Sequence, residues 1–328
     1  MADNVRGRFV WHELMTPDPK AAAAFYGKVV GWAPKPYDKN PDYTMLTYGP
    51  SAPMGGILKH DAPRIWLPYI ATPNVDVTAR EAVQFGGQVV KPAADIPDIG
   101  RFAIISDPQG ALFVAFTPMP MQQSSGPRGK PGLGDFHWHE LLTTDWQKAW
   151  NFYQKLFGWH KTDAMEMAPG QTYQMFAPAG EQSVGGMFNK PAQSPGPAQW
   201  LSYAIVKDAK AAAKTIESAG GKVINGPMEV PGGDWITAGI DPQGVMFAVH
   251  SRKEAGAAKP AAAKPAATEP AAAKPTAAKS TAAKRATAKK TSKRAPAKAA
   301  RRTMKAAKRK TSAKKRSPAK KRVARKRR

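Results

Sequence analysis

Cysteine is absent from all 328 residues, so disulfide staples, thiolate metal sites and a cysteine nucleophile are excluded together. Long apolar runs are missing as well. No stretch approaches the ~18 apolar residues that a membrane span needs, and Met1 to Leu14 lacks an apolar segment of signal-peptide length. The expectation is an intracellular, cytoplasmic protein with no membrane partner. The C-terminal part is poor in two further ways. Past Lys253 it has no aromatic residue, and its only larger aliphatic side chains are Met304 and Val323. It also has almost no acid: residues 252–328 hold 29 Lys and Arg against Glu254 and Glu269, a charge of +27, whereas residues 1–251 hold 21 basic and 22 acidic residues. A nearly neutral body thus carries a densely cationic appendage, and the charge sits where it cannot disturb folding.

What is present in the body is an internal repeat. FVWHEL at Phe9 to Leu14 returns as FHWHEL at Phe136 to Leu141, an offset of 127, and Phe25-Tyr26 and Gly31-Trp32 return as Phe152-Tyr153 and Gly158-Trp159 at the same offset. Gly55-Gly56 recurs at 130 as Gly185-Gly186. Trp66, Tyr69, Gly86-Gly87 and the DPQG run at Asp107 to Gly110 recur at 134 as Trp200, Tyr203, Gly220-Gly221 and Asp241 to Gly244. The offset grows only in small steps, which places short insertions in loops and leaves the elements whole. Two homologous domains, 1–121 and 135–251, joined by a Ser-, Gly- and Pro-rich linker at 122–134, account for this pattern.

Each copy reads as strand, helix and several strands, twice over. Asp18 can cap the first helix, Pro19 suits its first position, Ala22, Phe25 and Val29 form one apolar face, and Gly31 ends it. Its twin runs from Asp145 to Gly158. A second helix is expected over about Asp76 to Phe85, with its counterpart at Asp208 to Ala219. The DPQG run has the residues of a type I turn between two strands.

This order resembles the vicinal oxygen chelate superfamily of glyoxalases, bleomycin resistance proteins and extradiol dioxygenases. The likeness rests on Asp18 followed by Phe25-Tyr26 and Gly31, and on Asp107-Pro108-Gln109-Gly110 before a last strand, all duplicated. It implies an α+β class: tandem domains, each of two βαβββ modules forming a curved sheet around a cleft. It also implies where metal ligands would stand, and those places hold Trp11, Trp66 and Val114 in one copy and Trp138, Trp200 and Ala248 in the other. Neither an indole nor an aliphatic side chain has a lone pair to give a metal, so the family's usual zinc, iron or manganese site is not expected, and no cofactor is implied.

The two-residue period of a strand puts Glu13 on the side of Trp11, Glu140 on the side of Trp138, and His250 on the side of Ala248. The expected ligand pocket is therefore Trp11, Glu13 and Trp66 in one copy and Trp138, Glu140, Trp200 and His250 in the other, with Glu13, Glu140 and His250 as catalytic candidates. Aromatic walls with one acid suit a planar or cationic organic ligand. The competing reading is that the tryptophans fill the barrel and the acid is tied to a neighbour. His12 and His139 fall on the opposite phase and read as hydrogen-bonded core residues. His137 is also placed on the outward phase, and His60 and His160 carry no motif.

From Lys259 the chain repeats AAAKP-like units, with Lys-Pro or Glu-Pro at 259–260, 264–265, 269–270 and 274–275. Nothing there can bury enough surface to offset the entropy of ordering, so residues 252–328 read as a disordered tail. It resembles the tails of linker histones and of histone-like bacterial nucleoid proteins. The expected contacts to DNA phosphates are Lys289, Lys290, Lys293, Arg294, Arg301, Arg302, Lys308, Arg309, Lys310, Lys314, Lys315, Arg316, Lys320, Lys321, Arg322, Arg325, Lys326, Arg327 and Arg328. Without aromatics to stack on bases, such binding should be almost independent of sequence. A solubilising extension, a membrane-surface anchor or a nuclear import signal are the other uses of such a run.

Three readings follow. The first is a metal-free protein that sequesters or senses a small molecule and is held at the nucleoid by its tail. The second is a lyase, isomerase or hydroxylase using Glu13 or Glu140 as general base. The third is a nucleoid-associated structural protein.

Overall fold

The computed structural model describes residues 6–119, 130–191 and 196–253. The cationic tail from 254 onward, including every expected phosphate contact named above, lies outside the described residues, as does most of the linker.

Each copy builds one eight-stranded sheet with two helices. In the first copy β1 (Phe9–Thr16), α1 (Pro19–Val29), β2 (Ala33–Pro36), β3 (Tyr43–Thr47) and β4 (Gly55–Lys59) form one βαβββ module. The second module is β5 (Ile65–Ala71), α2 (Val75–Gln84), β6 (Gln88–Ile96), β7 (Gly100–Ser106) and β8 (Leu112–Pro118). The sheet order β2-β3-β4-β1-β5-β8-β7-β6 joins the modules through the antiparallel pair β1–β5. The second copy repeats this with β9 (Phe136–Thr143), α3 (Trp146–Phe157), β10 (His160–Ala168), β11 (Gln171–Ala177) and β12 (Gly185–Asn189). It continues with β13 (Gln199–Ile205), α4 (Ala209–Ser218), β14 (Lys222–Glu229), β15 (Trp235–Ile240) and β16 (Met246–Ser251).

The helix ends follow the local chemistry. The Asp18 and Asp145 carboxylates accept from the backbone N–H of Ala21 and Lys148, both at 3.0 Å, satisfying donors that the first turn leaves free. The helix of the second module, α2, begins one residue earlier than expected, and Asn74 caps it by accepting from Val77 N–H at 3.0 Å. Gly158 closes α3 at φ 69°, a left-handed conformation that glycine adopts without a Cβ penalty.

One face of each sheet is covered by helices, and the resulting cores are shared between copies. Val75, Ala79 and Ala82 of α2 pack with Ala149, Phe152 and Tyr153 of α3. Ala22, Phe25 and Val29 of α1 pack with Ala209, Ala212 and Ile216 of α4. The copies also clasp each other through the DPQG turns. The Gln109 carboxamide accepts from the N–H groups of Thr144 and Asp145 and donates to the Asp145 carbonyl, and Gln243 accepts from the Thr16 hydroxyl and the Asp18 N–H and donates to the Asp18 carbonyl. Asp107 takes the hydroxyl of Tyr153, and Asp241 that of Tyr26. The turn expected from the sequence is there, and it also ties each copy to the helix start of the other.

Between the sheets lie the two histidines of the repeated WHEL. His12 stacks on Phe136 and His139 on Phe9, with ring centroids 3.9 and 3.6 Å apart. Their Nε2 atoms are 2.9 Å apart. The Val184 carbonyl, 3.1 Å from His139 Nδ1, requires a proton on that nitrogen. Burial holds the His139 pKa down at about 3, so its ring is neutral and its Nε2 accepts from His12 Nε2–H.

Candidate functional site

The other face of each sheet forms the concave cleft, and the same network lies on the floor of both. In the first copy Trp11 Nε1 donates to Tyr43 Oη at 2.8 Å, and Tyr69 Oη donates to the Glu13 carboxylate at 3.0 Å. Tyr43 bonds to Glu13 as well. In the second copy Trp138 Nε1 donates to Tyr173 Oη at 2.7 Å, while Tyr173 and Tyr203 donate to Glu140 at 3.1 and 3.2 Å. The glycine pair on β4 and β12 makes this possible. A Cβ on Gly56 or Gly186 would overlap the ring of Tyr43 or Tyr173, so only glycine lets the tyrosine lie across the strand to reach the acid.

The two carboxyls differ in poise. Desolvation raises Glu13, while bonds from Tyr69 and Tyr43 and the charge of Lys91 pull it partly back. Glu140 has no such lysine, since Asn225 occupies the corresponding position. Desolvation pushes its pKa to about 7 against the lowering effect of its two tyrosines. The clefts differ in room too. Phe102, Ile104, Val114 and Phe116 crowd the first, where the second has Ile236, Ala238, Ala248 and His250.

Trp66 and Trp200, expected in the pockets, are not there. β5 pairs Trp66 with Leu14, and β13 pairs Trp200 with Leu141, which puts both indoles on the helix face. They are 5% and 3% exposed and donate to Tyr26 Oη and Tyr153 Oη at 3.0 Å. The cleft positions of these strands belong to Leu67, Tyr69, Leu201 and Tyr203. His137 is a second correction. A bulge passes over it, with Phe136 opposite Ala204 and Trp138 opposite Tyr203. A bulge breaks the alternation of a strand, and the His137 ring comes within 5.5 Å of His250. His250 itself holds Asp234 through Nε2 at 2.8 Å, and its Nδ1 is buried without a partner.

The residues present do not fit the metal of the fold family. Trp11, Val114 and their twins cannot ligate, the one acid of each floor is engaged by tyrosines, and among the described residues no cluster of three or more His, Asp or Glu stands close enough to hold an ion. No helix among the described residues is long and apolar enough to cross a membrane. A shallow groove beside α1, lined by Pro17, Trp32, Pro36, Tyr37, Tyr43 and Lys59 among others, includes neither Glu13 nor Glu140.

Residues 135–249, the second copy, match the sequence model of the Glyoxalase/Bleomycin resistance protein/Dioxygenase superfamily. CFP32 of Mycobacterium tuberculosis, whose name assigns it provisionally as a glyoxylase, is 37% identical over 251 residues, 73% of this chain and 92% of that protein. The anthracycline biosynthesis protein DnrV of Streptomyces peucetius is 28% identical over 271 residues, 76% of this chain and 94% of its own. The chain therefore belongs to the glyoxalase, or vicinal oxygen chelate, superfamily. The fold is shared with the Mn(II)-bound glyoxalase of Novosphingobium aromaticivorans, at TM-score 0.53 and 14% identity over 75% of this chain and 82% of that one. It is shared also with the 2,3-dioxygenase LapB of Pseudomonas sp. KL28, at TM-score 0.51 and 11% identity over 75% and 93%.

Tyr43, Tyr69, Tyr173, Tyr203, Gly56, Gly186 and Asp234 escaped the sequence reading of the site. For all but Asp234 a signal existed: Tyr43 recurs as Tyr173 at the offset of the glycine pair, and Tyr69 as Tyr203. Asp234 has no twin, because Gly100 stands in its place.

Proposed function

We propose that the cleft of the second copy binds a small organic ligand and that Glu140 exchanges a proton with it, without a metal held by the fold family's positions. The observation that carries this is the placement of the Glu140 carboxyl, buried between the hydroxyls of Tyr173 and Tyr203 on the floor of the cleft with the smaller side chains, where desolvation raises its pKa to about 7. A base works best when its pKa lies near the working pH, because it is then ionised often enough to accept and basic enough to take the proton. The tyrosine hydroxyls orient the carboxylate and leave its charge partly compensated. Trp138, anchored through Tyr173, offers an indole face to a planar or cationic ligand. The first cleft, with larger apolar side chains and Lys91 beside its acid, is read as the less reactive twin. The relatives' names, a provisionally assigned glyoxylase and an anthracycline biosynthesis protein, support a small organic ligand for this cleft.

The test is conversion of methylglyoxal, alone and as its glutathione hemithioacetal, and of hydroxylated aromatic ketones, by chelator-treated protein followed by proton NMR in deuterated water. Deuterium uptake or product formation should be lost in Glu140→Gln and kept in Glu13→Gln. Equal loss in both variants, or none in Glu140→Gln, would remove Glu140 from the chemistry.

A second reading concerns residues 252–328 and rests on their +27 charge beside a near-neutral body. We infer that the tail tethers the ligand-binding body to nucleic acid by displacing phosphate counterions, with little sequence preference. That placement would make the protein nucleoid-associated, and the tail's DNA partner would be any accessible duplex.

A further inference from the structure

The second cleft has one more polar element that the Glu140 chemistry does not use. His250 is 6% exposed, donates Nε2–H to Asp234 at 2.8 Å, and so presents Nδ1 as a bare acceptor with no hydrogen-bond partner. A buried acceptor left without a partner is destabilising. The fold does not need it. In the first copy the same three positions are Phe116, Gly100 and Val10, and the Phe116 ring lies where a side chain on residue 100 would go. One copy closes this end of the cleft with a phenyl ring. The other replaces it with an aspartate-oriented imidazole and brings His137 beside it through the bulge.

The placement says what could use it. Tyr203 pairs with both Trp138 and Ala248, and His250 pairs with Ile205 two residues further along the same face. Glu140 lies level with Leu201 on the other side of Trp138. At ~3.3 Å per residue and ~4.8 Å between strands, the backbones of Glu140 and His250 are roughly 15 Å apart along one concave face. Desolvation, the largest cause, lowers the His137 pKa and favours a neutral ring there, against the opposing pull of Asp234. The face therefore has a carboxyl at one end, an indole in the middle, and an unpartnered imidazole nitrogen with a second, half-buried imidazole beside it at the other.

We propose that His250, held by Asp234, is a ligand-binding residue that accepts a hydrogen bond from an acidic hydroxyl on an elongated, planar, fused-ring aromatic ligand lying over Trp138. This rests on the reading of the second cleft as the ligand site and adds the class of ligand and its second anchor. His250 takes no part in a bond-making step. Asp234 is a positioning residue that fixes the imidazole tautomer.

The full-length chain should be titrated with the hydroxylated dye quinizarin and with unsubstituted anthraquinone, following tryptophan fluorescence, in wild type, His250→Phe, Asp234→Asn and Glu140→Gln. His250→Phe is made together with Asp234→Gly, because the first copy accommodates Phe116 only beside Gly100; that pair protects folding. Loss of one hydrogen bond should weaken quinizarin roughly tenfold while changing anthraquinone less than twofold. Nitrogen-15 NMR of the histidine rings gives an independent readout, in which the bare Nδ1 signal of His250 should move on adding quinizarin and not on adding anthraquinone. Equal weakening of both dyes in this double variant, or an unmoved Nδ1 signal, would overturn the proposal. Failure of wild type to bind either dye would also overturn it, and would leave the Glu140 reading to its own proton-exchange test.

Discussion

The clasp between the copies gives a quantitative expectation. Gln109 Oε1 accepts from Thr144 N–H at 2.9 Å, Asp145 N–H at 2.7 Å and the hydroxyls of Thr143 and Thr144, while Nε2 donates to the Asp145 carbonyl at 2.7 Å. Gln109→Ala removes all of these. The Thr144 and Asp145 N–H groups precede α3 and have no helical partner of their own. At about 1 kcal/mol net per hydrogen bond, with water replacing those at the exposed Thr144, the loss is about 2–3 kcal/mol. Because α3 shares its core with α2 of the other copy, this loss should fall on the whole body. Thermal unfolding should remain a single transition, lowered by roughly 4–12 °C at ~2–4 °C per kcal/mol for a chain portion of this size. Gln243→Ala should act alike through Thr16 and Asp18. Differential scanning calorimetry is the assay. A midpoint shift under 1 °C would refute the clasp, and two separated transitions with only one displaced would refute the shared cores.

Further outcomes follow from the same geometry. Glu140 has a folded pKa of about 7 against 4.5 for a free side chain, so its folded form holds a proton that the unfolded chain gives up. Its contribution is full below about pH 4.5 and is lost as pH rises through about 7. Wild type should therefore lose about 3 kcal/mol relative to Glu140→Gln across that window, at ~1.4 kcal/mol per pKa unit; urea unfolding of both proteins at the two ends would detect a constant difference if this is wrong. Trp200→Phe should destabilise the body by about 1–2 kcal/mol through its lost bond to Tyr153 and reduced packing, and should leave ligand affinity unchanged, contrary to a pocket role. If the tail neutralises about ten phosphates, the log of DNA affinity should fall with log salt at a slope near −9. Truncation after Ser251 should abolish that binding and leave the circular dichroism of the body intact; a truncated protein with the same salt slope would end the tether reading.

Much of the fold could be read from residues alone because the repeat showed every element twice. The capping aspartates, the glycines after the helices and the DPQG turns are local signals, and local chemistry decides them. The floor of the cleft was half legible. Glu13, Glu140, Trp11 and Trp138 followed from alternation along one strand, which needs no knowledge of partners. Trp66 and Trp200 misled because a strand's inward phase is set by the register of its pairing with β1 or β9, and nothing in Ile65 to Ala71 states that register. The copies' shared cores make an apolar face toward the helices as demanding as the cleft, so a large aromatic residue suits either. His137 was misplaced because a bulge consumes one residue of the alternation without a sequence mark. Asp234 was invisible for a different reason: it meets His250 only across the β15–β16 pairing, and its place in the first copy is a glycine.

The most direct test of the account is the titration of Glu140 itself. Carbon-13 NMR of the protein labelled at glutamate side-chain carboxyls, with Glu140→Gln used to assign the signal, would follow the group from pH 4 to pH 9. The account predicts a midpoint near 7 for Glu140. A midpoint near the ordinary 4.5 would mean that the carboxyl is ionised throughout and not poised to take a proton from a ligand, and the proposed role of the second cleft would fall with it.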